Sequence, residues 1–268
     1  LLDGRKFTRV LLDEATQATE PASLVPLVRG ARQIVLVGDH RQLPPTVISQ
    51  RAENDGLRRS LFERMVAMGI EPMVLDTQYR MHPAISEFPN QTFYNGLLVD
   101  GIDAADRPNP AGLLWNNWEV PIAFLPVNGD EVLSPDGASK ENPSEAGWVA
   151  RILESLLEAG DLQQDDIGII TPYAGQVRAI RDAIPERNDA VEVHTVDGYQ
   201  GREKDVIIFS CVRSNADGNV GFLADPRRLN VALTRARRGL IVIGDPAPPR
   251  NAETWGAWLE YLLSLIPI

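Results

Sequence analysis

Cysteine, targeting signals and long apolar runs are all scarce or absent in this sequence of 268 residues. The single cysteine, Cys211, excludes a disulfide framework and a cysteine-based zinc module. The longest apolar runs, such as residues 206–209, fall far short of the ~20 residues that span a bilayer, so no membrane partner is expected. No charged-then-apolar signal opens the chain. These absences predict a soluble protein of the cytoplasm or the nucleus.

Positive charge is also in short supply, because 26 basic residues face 37 acidic ones and the net charge is −11. Only three of the basic residues are lysines. No basic surface can therefore cover the whole protein, and any contact with nucleic acid must be a local patch. The three histidines, His40, His82 and His194, have no spacing that suggests a zinc site.

Short apolar runs alternate with helical patterns along the chain, and most of the runs are continuous. Continuous apolar runs are typical of strands buried on both faces of a parallel sheet. Capping signals mark some of the helices, such as Ser60 with Glu63 before residues 61–68, and Asn142 with a first-turn proline before a helix that runs to Gly160. The pattern predicts an α/β fold with strands at residues 7–12, 34–37, 73–75, 122–125, 167–170, 191–194, 206–212 and 240–243. Further helices are predicted around 177–184, 225–236 and 255–263, and loops at 100–117 and 128–142.

Two carboxylates stand directly after the first predicted strand, in the segment VLLDEA (residues 10–15). The carboxyl ends of parallel strands are where open α/β sheets place their ligands. In nucleotide hydrolases an aspartate at this place holds Mg²⁺, and an adjacent glutamate can polarise the attacking water. Taken alone, the segment is also compatible with a solvated strand end.

Two further segments carry groups suited to a polyphosphate. The segment IVLVGDHRQLPP (residues 34–45) leads from a strand into a turn with Gln42, whose amide can donate and accept hydrogen bonds at once. In QYRMHP (residues 78–83), Arg80 carries a planar fork that suits phosphate oxygens. Each segment alone could equally be an ordinary strand-to-loop turn or a surface arginine.

The last two segments lie in the second half of the chain. In HTVDGYQGREKD (residues 194–205), two glycines let the backbone approach a ligand, and the Glu203 carboxylate could accept from ribose hydroxyls. The segment DPRRLNVALTRARR (residues 225–238) concentrates five arginines and one aspartate on a predicted helix with an apolar face. Arg228 and Arg235 are seven residues apart and so share about one face of that helix. Charge this concentrated indicates more than solvation.

In this order and spacing, the five segments closely resemble the motifs of superfamily 1 helicases. The resemblance is tightest to the regulator-of-nonsense-transcripts branch, the RNA helicases of nonsense-mediated decay, whose relatives include senataxin and the immunoglobulin mu-binding helicase. The strings DEATQATEP, VGDHRQLPP, QYRMHP, VDGYQGREKD and DPRRLNVALTRAR carry it, from Val10 to about Asp245. In combination they are far more specific than any one motif.

The resemblance implies two RecA-like domains of parallel-sheet P-loop NTPase fold, which face each other across an ATP cleft. Residues 1–79 would be the C-terminal part of the first domain, and residues 80–268 a complete second one. By resemblance, Asp13 binds Mg²⁺, Glu14 is the general base and Gln42 couples the γ-phosphate to nucleic acid. Tyr79 would stack on the adenine and Arg80 would contact the γ-phosphate.

The resemblance assigns the remaining roles to the second domain. Glu203 would lie near the ribose with Gly201 as its backbone neighbour, and Arg235 would be an arginine finger, a group worth ~10³–10⁵ in rate in GTPases. Arg227, Arg237 and Arg238 are expected to be structural or at the surface. Contacts with single-stranded RNA or DNA, mostly to phosphate and sugar, are assigned to Thr171, Pro172, Tyr173, His194 and Thr195 and, as weaker candidates, to Asn142 and Arg213.

No G-x-x-x-x-G-K-[ST] segment occurs, so the P-loop is expected upstream of Leu1, in a missing N-terminal part of the same protein.

Two functions stay open. The favoured one is a motor fragment of an ATP-dependent RNA or DNA helicase that translocates 5′ to 3′, inactive without its P-loop. The alternative is a non-hydrolysing module, derived from a helicase, that binds nucleic acid or a protein partner. The absent P-loop favours the alternative, and the intact set of Asp13, Glu14, Gln42, Arg80 and Arg235 opposes it. Regulatory protein partners are not specified by the sequence.

Overall fold

Two compact units divide the chain, Leu1–Leu75 and Asp76–Ile268. The computed structural model describes residues 4–215, 219, 221–246 and 253–265. The division falls before residue 76, a few residues ahead of the predicted domain boundary at 79/80, so the whole QYRMHP segment belongs to the second unit. Among the described residues, no helix has the length and apolar character needed to cross a membrane.

The first unit is built on two parallel strands joined through a helix. Strand β1 (Arg9–Leu12) pairs with β2 (Gln33–Leu36), and Leu12 lies opposite Leu36, so both strands end at the same edge. The connection contains helix α1 (Glu20–Leu27). Helix α2 (Gln50–Asn54) and helix α3 (Leu61–Ala67) follow. Ser60 Oγ accepts from Glu63 N at 3.1 Å, as the predicted cap requires.

The predicted strand at residues 73–75 does not form. These residues are outside regular secondary structure, and the Met73 side chain is 94% exposed. An apolar run becomes a strand only where a neighbouring strand satisfies its backbone groups. No described strand pairs with this run, and the next strand starts only at Thr77.

The second unit has a five-stranded parallel sheet as its centre, in the order β5-β11-β10-β8-β9. Side chains such as Ile208 and Ile241 in the two middle strands are fully buried, as expected of a sheet with helices on both faces. The sheet strands are β5 (Ile122–Pro126), β8 (Ile167–Thr171), β9 (Glu192–Thr195), β10 (Lys204–Ser210) and β11 (Ala236–Gly244). This α/β arrangement is the predicted RecA-like fold.

Amphipathic helices cover the sheet. Asn142 caps the longest of them through its side chain, which accepts from Glu145 N at 3.1 Å, and that helix buries Val149, Leu153 and Leu156 completely. The helices are α4 (Pro83–Phe93), α5 (Pro143–Glu158), α6 (Ala174–Ala183), α7 (Pro226–Leu233) and α8 (Glu253–Ser264). Single 3₁₀ turns occur at Ala104–Asp106, Gln164–Asp166, Glu186–Asn188, Asp197–Tyr199 and Gly221–Ala224.

Four features of the second unit differ from the sequence prediction, and the first is helix α4, which was not predicted. Helix α7 ends at Leu233 rather than at residue 236, because Ala236 already begins β11. The predicted loop at 128–142 contains a short antiparallel hairpin of β6 (Val132–Leu133) and β7 (Lys140–Glu141). Two-residue strands β3 (Thr77–Gln78) and β4 (Val99–Asp100) also pair, in parallel.

Candidate nucleotide and nucleic-acid sites

The two carboxylates of the first unit lie where β1 ends. Asp13 and Glu14 are exposed, and Asp13 Oδ1 accepts from Glu14 N at 3.0 Å. Glu14 has a φ of +50°, a left-handed conformation that a non-glycine residue adopts only when its surroundings demand it. Its Oε2 accepts from Gln17 Nε2 at 2.7 Å. The backbone strain and this hydrogen bond aim the Glu14 carboxylate in one direction.

Gln42 stands on the turn that follows β2, the strand paired with β1. Gln42 Nε2 donates to Asp39 Oδ2 at 2.9 Å, and Arg41 N donates to the other oxygen of the same carboxylate at 2.8 Å. Gly38 allows this turn to lie close to Thr16, because a Cβ at position 38 would meet three atoms of Thr16 at 3.0 Å. The carboxyl ends of β1 and β2 therefore bring Asp13, Glu14 and Gln42 to one edge of the first unit.

An ion-pair cluster links Arg80 and Glu203, the residues that the motif resemblance assigns to the nucleotide, with Arg237. Arg80 Nε donates to Glu203 Oε2, and Arg80 NH1 donates to Thr234 O at 3.0 Å. Arg237 binds the other oxygen of Glu203 through NH2 at 2.6 Å and Nε at 3.0 Å. Burial opposes ionisation of Glu203, but the hydrogen bonds from Arg237 and Arg80 outweigh it and lower the pKa of this carboxyl. Glu203 is therefore an anion clamped between two arginines.

The sequence did not indicate several groups that orient this cluster. Gln78 Oε1 accepts from Arg80 N at 2.9 Å and Met81 N at 2.8 Å, and Arg107 donates to the carbonyls of Arg80 and Tyr79, each at 2.9 Å. Arg237 was expected to form a structural pair or to lie at the surface, and it does form a pair, but the sequence did not name Glu203 as its partner. Only the concentration of arginines in residues 225–238 could have pointed to it.

Tyr79 and Gly201 lie close to the cluster in sequence. The Tyr79 side chain is 64% exposed, and a Cβ at Gly101 would overlap its ring, so one part of the ring packs on glycine backbone. Gly201 has a φ of +76°. An L side chain would be strained at that φ, which is why a glycine precedes Arg202 and Glu203 at this turn.

Arg235, the predicted arginine finger, is buried against the end of α7. Its Nε donates to Val231 O at 3.0 Å and its NH2 donates to Thr234 Oγ1 at 2.9 Å. The side chain is 2% exposed. Contact with a phosphate therefore requires a rotation of this side chain away from the α7 carbonyl, whereas Thr234 O, next to it in the chain, already meets Arg80.

The predicted nucleic-acid residues gather at the carboxyl ends of β8 and β9. Thr171 lies opposite Thr195 in the sheet register, and Ile170 lies opposite His194. Pro172, His194 and Thr195 are half-buried, whereas the Thr171 side chain is buried and its Oγ1 has no hydrogen-bond partner among the described residues. Burial lowers the pKa of His194, and Arg202 adds to this effect, so the ring is neutral at physiological pH.

Tyr173 lies directly before helix α6 at the same edge and is nearly buried. Its hydroxyl accepts from Arg213 NH1 at 3.2 Å, and its ring meets the Phe222 ring edge-on at a centroid distance of 5.3 Å. Phe222 is itself covered by the Arg228 guanidinium, 4.6 Å from the ring centroid. Arg228 pairs with Asp197 of the glycine segment at 3.1 Å.

The two weaker nucleic-acid candidates make internal contacts. Asn142 is fully buried, and its side chain donates to Gly129 O at 2.9 Å and to Val212 O at 3.3 Å. Arg213 is 5% exposed and pairs through Nε with Glu131 Oε2 at 2.9 Å. Neither side chain offers a polar group at the surface of the protein. The helix-capping signal at Asn142 was the better guide to its role.

The chain matches known proteins over nearly its whole length. Residues 57–247 match a protein family described as AAA domain, and residues 1–50 match a second family with the same description. The regulator of nonsense transcripts 1 homolog of Drosophila melanogaster is 45% identical and covers 97% of this chain, and the homolog of Neurospora crassa is 46% identical and covers 95%. An ATP-dependent helicase of Schizosaccharomyces pombe is 47% identical and covers 93%. The chain belongs to the AAA-domain family of superfamily 1 helicases.

The match to this helicase family confirms the resemblance that the motifs predicted. The chain spans about a quarter of the length of these relatives, 23%, 24% and 28% respectively. Among the described residues, no group of three or more histidine, cysteine, aspartate or glutamate side chains could hold a metal ion alone.

Proposed function

We propose that this chain is part of the motor of an ATP-dependent helicase that moves 5′ to 3′ along single-stranded RNA. The observation that carries the proposal is the cluster of Arg80, Glu203 and Arg237. This cluster joins two motifs that lie 123 residues apart, and it contacts the chain just after the C-terminal end of α7. The relatives named regulator of nonsense transcripts support RNA as the substrate and a role in controlling such transcripts. The relative named ATP-dependent helicase supports the activity.

The arginine cluster is suited to exchange a carboxylate for a phosphate. A guanidinium binds both groups through the same two-pronged geometry. Glu203 therefore keeps Arg80 oriented, and a γ-phosphate can replace the carboxylate on Arg80. Glu203 remains anionic and accepts from the ribose hydroxyls beside Gly201. Arg235 adds a second positive charge beside the phosphate once its side chain has turned away from Val231 O. Tyr79 stacks its exposed ring on the adenine.

The first unit supplies the hydrolytic groups. Mg²⁺ bound with a nucleotide takes one or two carboxylates and fills its other positions with phosphate oxygens and water, and the exposed Asp13 carboxylate fits that pattern. When bound there, the ion neutralises charge on the phosphates. Glu14, held in a left-handed conformation, accepts a proton from the attacking water. Gln42, oriented by Asp39, couples the presence of the γ-phosphate to movement of the nucleic acid.

The edge formed by β8 and β9 would hold the nucleic acid. Backbone groups at Thr171, Pro172 and Tyr173, together with His194 and Thr195, would contact phosphate and sugar rather than bases. Arg202 and Arg228 near this edge pair with Glu192 and Asp197, and each guanidinium can exchange its carboxylate partner for a phosphate of the nucleic acid. Affinity for nucleic acid should therefore fall as salt rises.

We also propose that the protein acts in the cytoplasm or the nucleus, which imaging of the tagged protein tests.

The experiment is to measure RNA-stimulated ATP hydrolysis by the full-length protein and its variants. Glu14→Gln keeps the shape and removes the base, so it should lower turnover by ~10²–10⁴-fold. Arg235→Ala removes the finger and should lower turnover by ~10³–10⁵-fold. ATP binding should stay within a few-fold in both. Glu71→Gln and Arg187→Ala change exposed residues outside the sites and serve as matched controls. Near-normal hydrolysis in either site variant would contradict its role.

A non-hydrolysing binding module is the competing function. It predicts that the full-length wild-type protein binds RNA but hydrolyses no ATP above background. The retention of Asp13, Glu14 and Gln42 at one strand edge, and of the Arg80–Glu203 pair in the second unit, favours the motor.

A further inference from the structure

The chain turns sharply just after β10, and the turn is strained. Val212 has a φ of +72°, and Arg213 N donates to Cys211 O at 2.8 Å, which closes a three-residue turn around it. Valine is branched at Cβ, so a positive φ is a genuine outlier for it. Three-residue turns with a positive φ at the centre are rare. Such strain persists only where the surroundings over-determine the conformation.

Two buried side chains grip both polar groups of Val212. Glu145 Oε2 accepts from Val212 N at 2.9 Å and from Ser210 Oγ at 2.6 Å. Asn142 Nδ2 donates to Val212 O at 3.3 Å and to Glu145 Oε1 at 3.3 Å. Both residues lie at the start of α5 and are fully buried. The helix cap and the strained turn are therefore parts of one hydrogen-bonded cluster.

Gln176 from α6 closes the cluster. Its Oε1 accepts from Asn142 N at 2.7 Å, and its Nε2 donates to Asn142 O at 3.1 Å and to Ser210 Oγ at 2.9 Å. The cluster of Asn142, Glu145, Gln176 and Ser210 thus ties α5 and α6 to the end of β10. A buried network whose members have partners is rigid and specifies one conformation.

A contribution to folding stability does not by itself explain the buried carboxyl group in this cluster. Burial raises the pKa of Glu145 to about 7, against its hydrogen bonds from Ser210 and Val212, and the nearby Asp245 adds to the rise. An apolar side chain of similar volume is often neutral or stabilising at such a place. A buried acid that holds a strained turn points to a positioning role.

The turn directs Arg213 to Tyr173. Arg213 NH1 donates to the Tyr173 hydroxyl at 3.2 Å, and Glu131 Oε2 holds its Nε at 2.9 Å. Gly221 packs against the same pair, since a Cβ there would overlap the Tyr173 hydroxyl and lie 2.9 Å from Arg213 NH1. Tyr173 is the last residue of the segment that follows β8, so its orientation fixes the exit of that segment into α6.

We propose that Glu145 and Asn142 are positioning residues, which hold the strained turn at Val212 and through Arg213 fix the segment of Thr171, Pro172 and Tyr173 in the conformation that binds single-stranded RNA. The inference rests on the proposed function, because it assigns that segment to the RNA interface. It adds residues that never touch RNA and that act only through the turn.

The test measures the affinity of the full-length protein for fluorescein-labelled single-stranded oligouridine by anisotropy. Glu145→Leu removes the acceptor of Val212 N and should weaken binding about tenfold. Glu145→Gln keeps an acceptor oxygen and should remain within about threefold of wild type. Glycine adopts a positive φ without strain, so adding Val212→Gly to Glu145→Leu should restore most of the lost affinity. Cys211→Gly changes a neighbouring buried residue without a positive φ, and adding it should restore nothing.

Several results would overturn the inference while wild-type binding stands. These are equal losses in Glu145→Gln and Glu145→Leu, no recovery on adding Val212→Gly, or unchanged RNA affinity in Glu145→Leu with a lowered unfolding temperature. If Glu145→Leu does not fold, Asn142→Ser replaces it as the single variant and is combined with Val212→Gly and Cys211→Gly in the same way. The serine keeps an oxygen for the helix cap but removes the donor to Val212 O. A wild-type protein that binds no oligouridine would instead overturn the proposed function.

Discussion

Strands of similar sequence lie in very different surroundings in the two units. In the first unit, Leu11 of β1 is 66% exposed and Val35 of β2 is 53% exposed, whereas Ile208 of β10 and Ile241 of β11 are fully buried. An apolar run encodes the strand, but it does not ensure that both faces of that strand are covered. Among the described residues, β1 and β2 pair only with each other, while β10 and β11 are flanked on both sides.

The functional groups of the two units are held by correspondingly different means. In the first unit, Glu14 and Gln42 are oriented by turns and by neighbours within three residues in the chain. In the second unit, Arg80 and Glu203 are joined across 123 residues, and Tyr173 and Arg213 across 40. Long-range pairs of this kind are lost when the unit unfolds, so the second unit's site depends on its global stability.

The largest expected difference between the units is in local stability. Opening free energies in a protein run from near zero in poorly packed parts to the global value in core strands. We expect amides of β1 and β2 to exchange with solvent rapidly in this 268-residue chain, and those of β8 and β10 to exchange only on global unfolding of the second unit. Hydrogen exchange followed by mass spectrometry measures both. Equal, strong protection of all four strands would show that exposure of the apolar faces is a poor guide to stability.

A matched pair of leucine substitutions sharpens the comparison. Leu153 of α5 is fully buried against the sheet of the second unit, whereas Leu11 lies on the exposed face of β1. Leu153→Ala should lower the free energy of unfolding of the second unit by about 2–5 kcal/mol, because it leaves a cavity. Leu11→Ala should change stability by less than about 0.5 kcal/mol. Chemical denaturation checks both, and similar losses in the two variants would contradict the contrast.

The sequence predicted elements best where strands are long and flanked on both sides. The strands in the second unit's sheet were placed to within a few residues, because continuous apolar runs marked them. The run at residues 73–75 looked the same and forms no strand, since pairing is a tertiary property. Helix α4 escaped prediction because Pro89 lies inside it and interrupts the helical pattern. Strands β6 and β7 are too short for any periodicity to show.

The sites divide in the same way. The position of each motif at the end of an apolar run was visible in the sequence: Asp13 and Gln42 come after the paired strands β1 and β2, and Thr171 and Thr195 end β8 and β9. It could not show that Arg80 and Arg237 clamp Glu203, nor that Arg235 packs on α7. It also could not separate the structural role of Asn142 from a nucleic-acid contact, since burial decides between them. Side-chain partners distant in sequence are the part that only the fold reveals.

Glu145 should make the free energy of unfolding of the second unit depend on pH. Its pKa rises from 4.5 to about 7 in the folded protein. Between those values the folded state holds a proton that the unfolded chain has released, so this group's contribution to stability falls as pH increases. We expect the free energy of unfolding of the second unit to lose up to about 3 kcal/mol from this group between pH 4.5 and 7.5. Glu145→Gln should remove that loss, and an unchanged slope in the variant would exclude Glu145 as its source.

The smallest expected effect lies at a helix cap in the first unit. Ser60 is fully buried, and its Oγ accepts from Glu63 N at 3.1 Å at the start of α3. Ser49 makes the same kind of cap to Ala52 N at 3.3 Å, but α2 buries no residue. Ser60→Ala should lower the stability of α3 by about 1 kcal/mol, a typical value for the loss of a serine cap. Ser49→Ala should have a smaller effect, because α2 has only five residues and little packing to transmit the loss. Amide exchange in α3 and α2 measures each change, and a larger effect at Ser49 would show that local capping, not packing, sets helix stability in this unit.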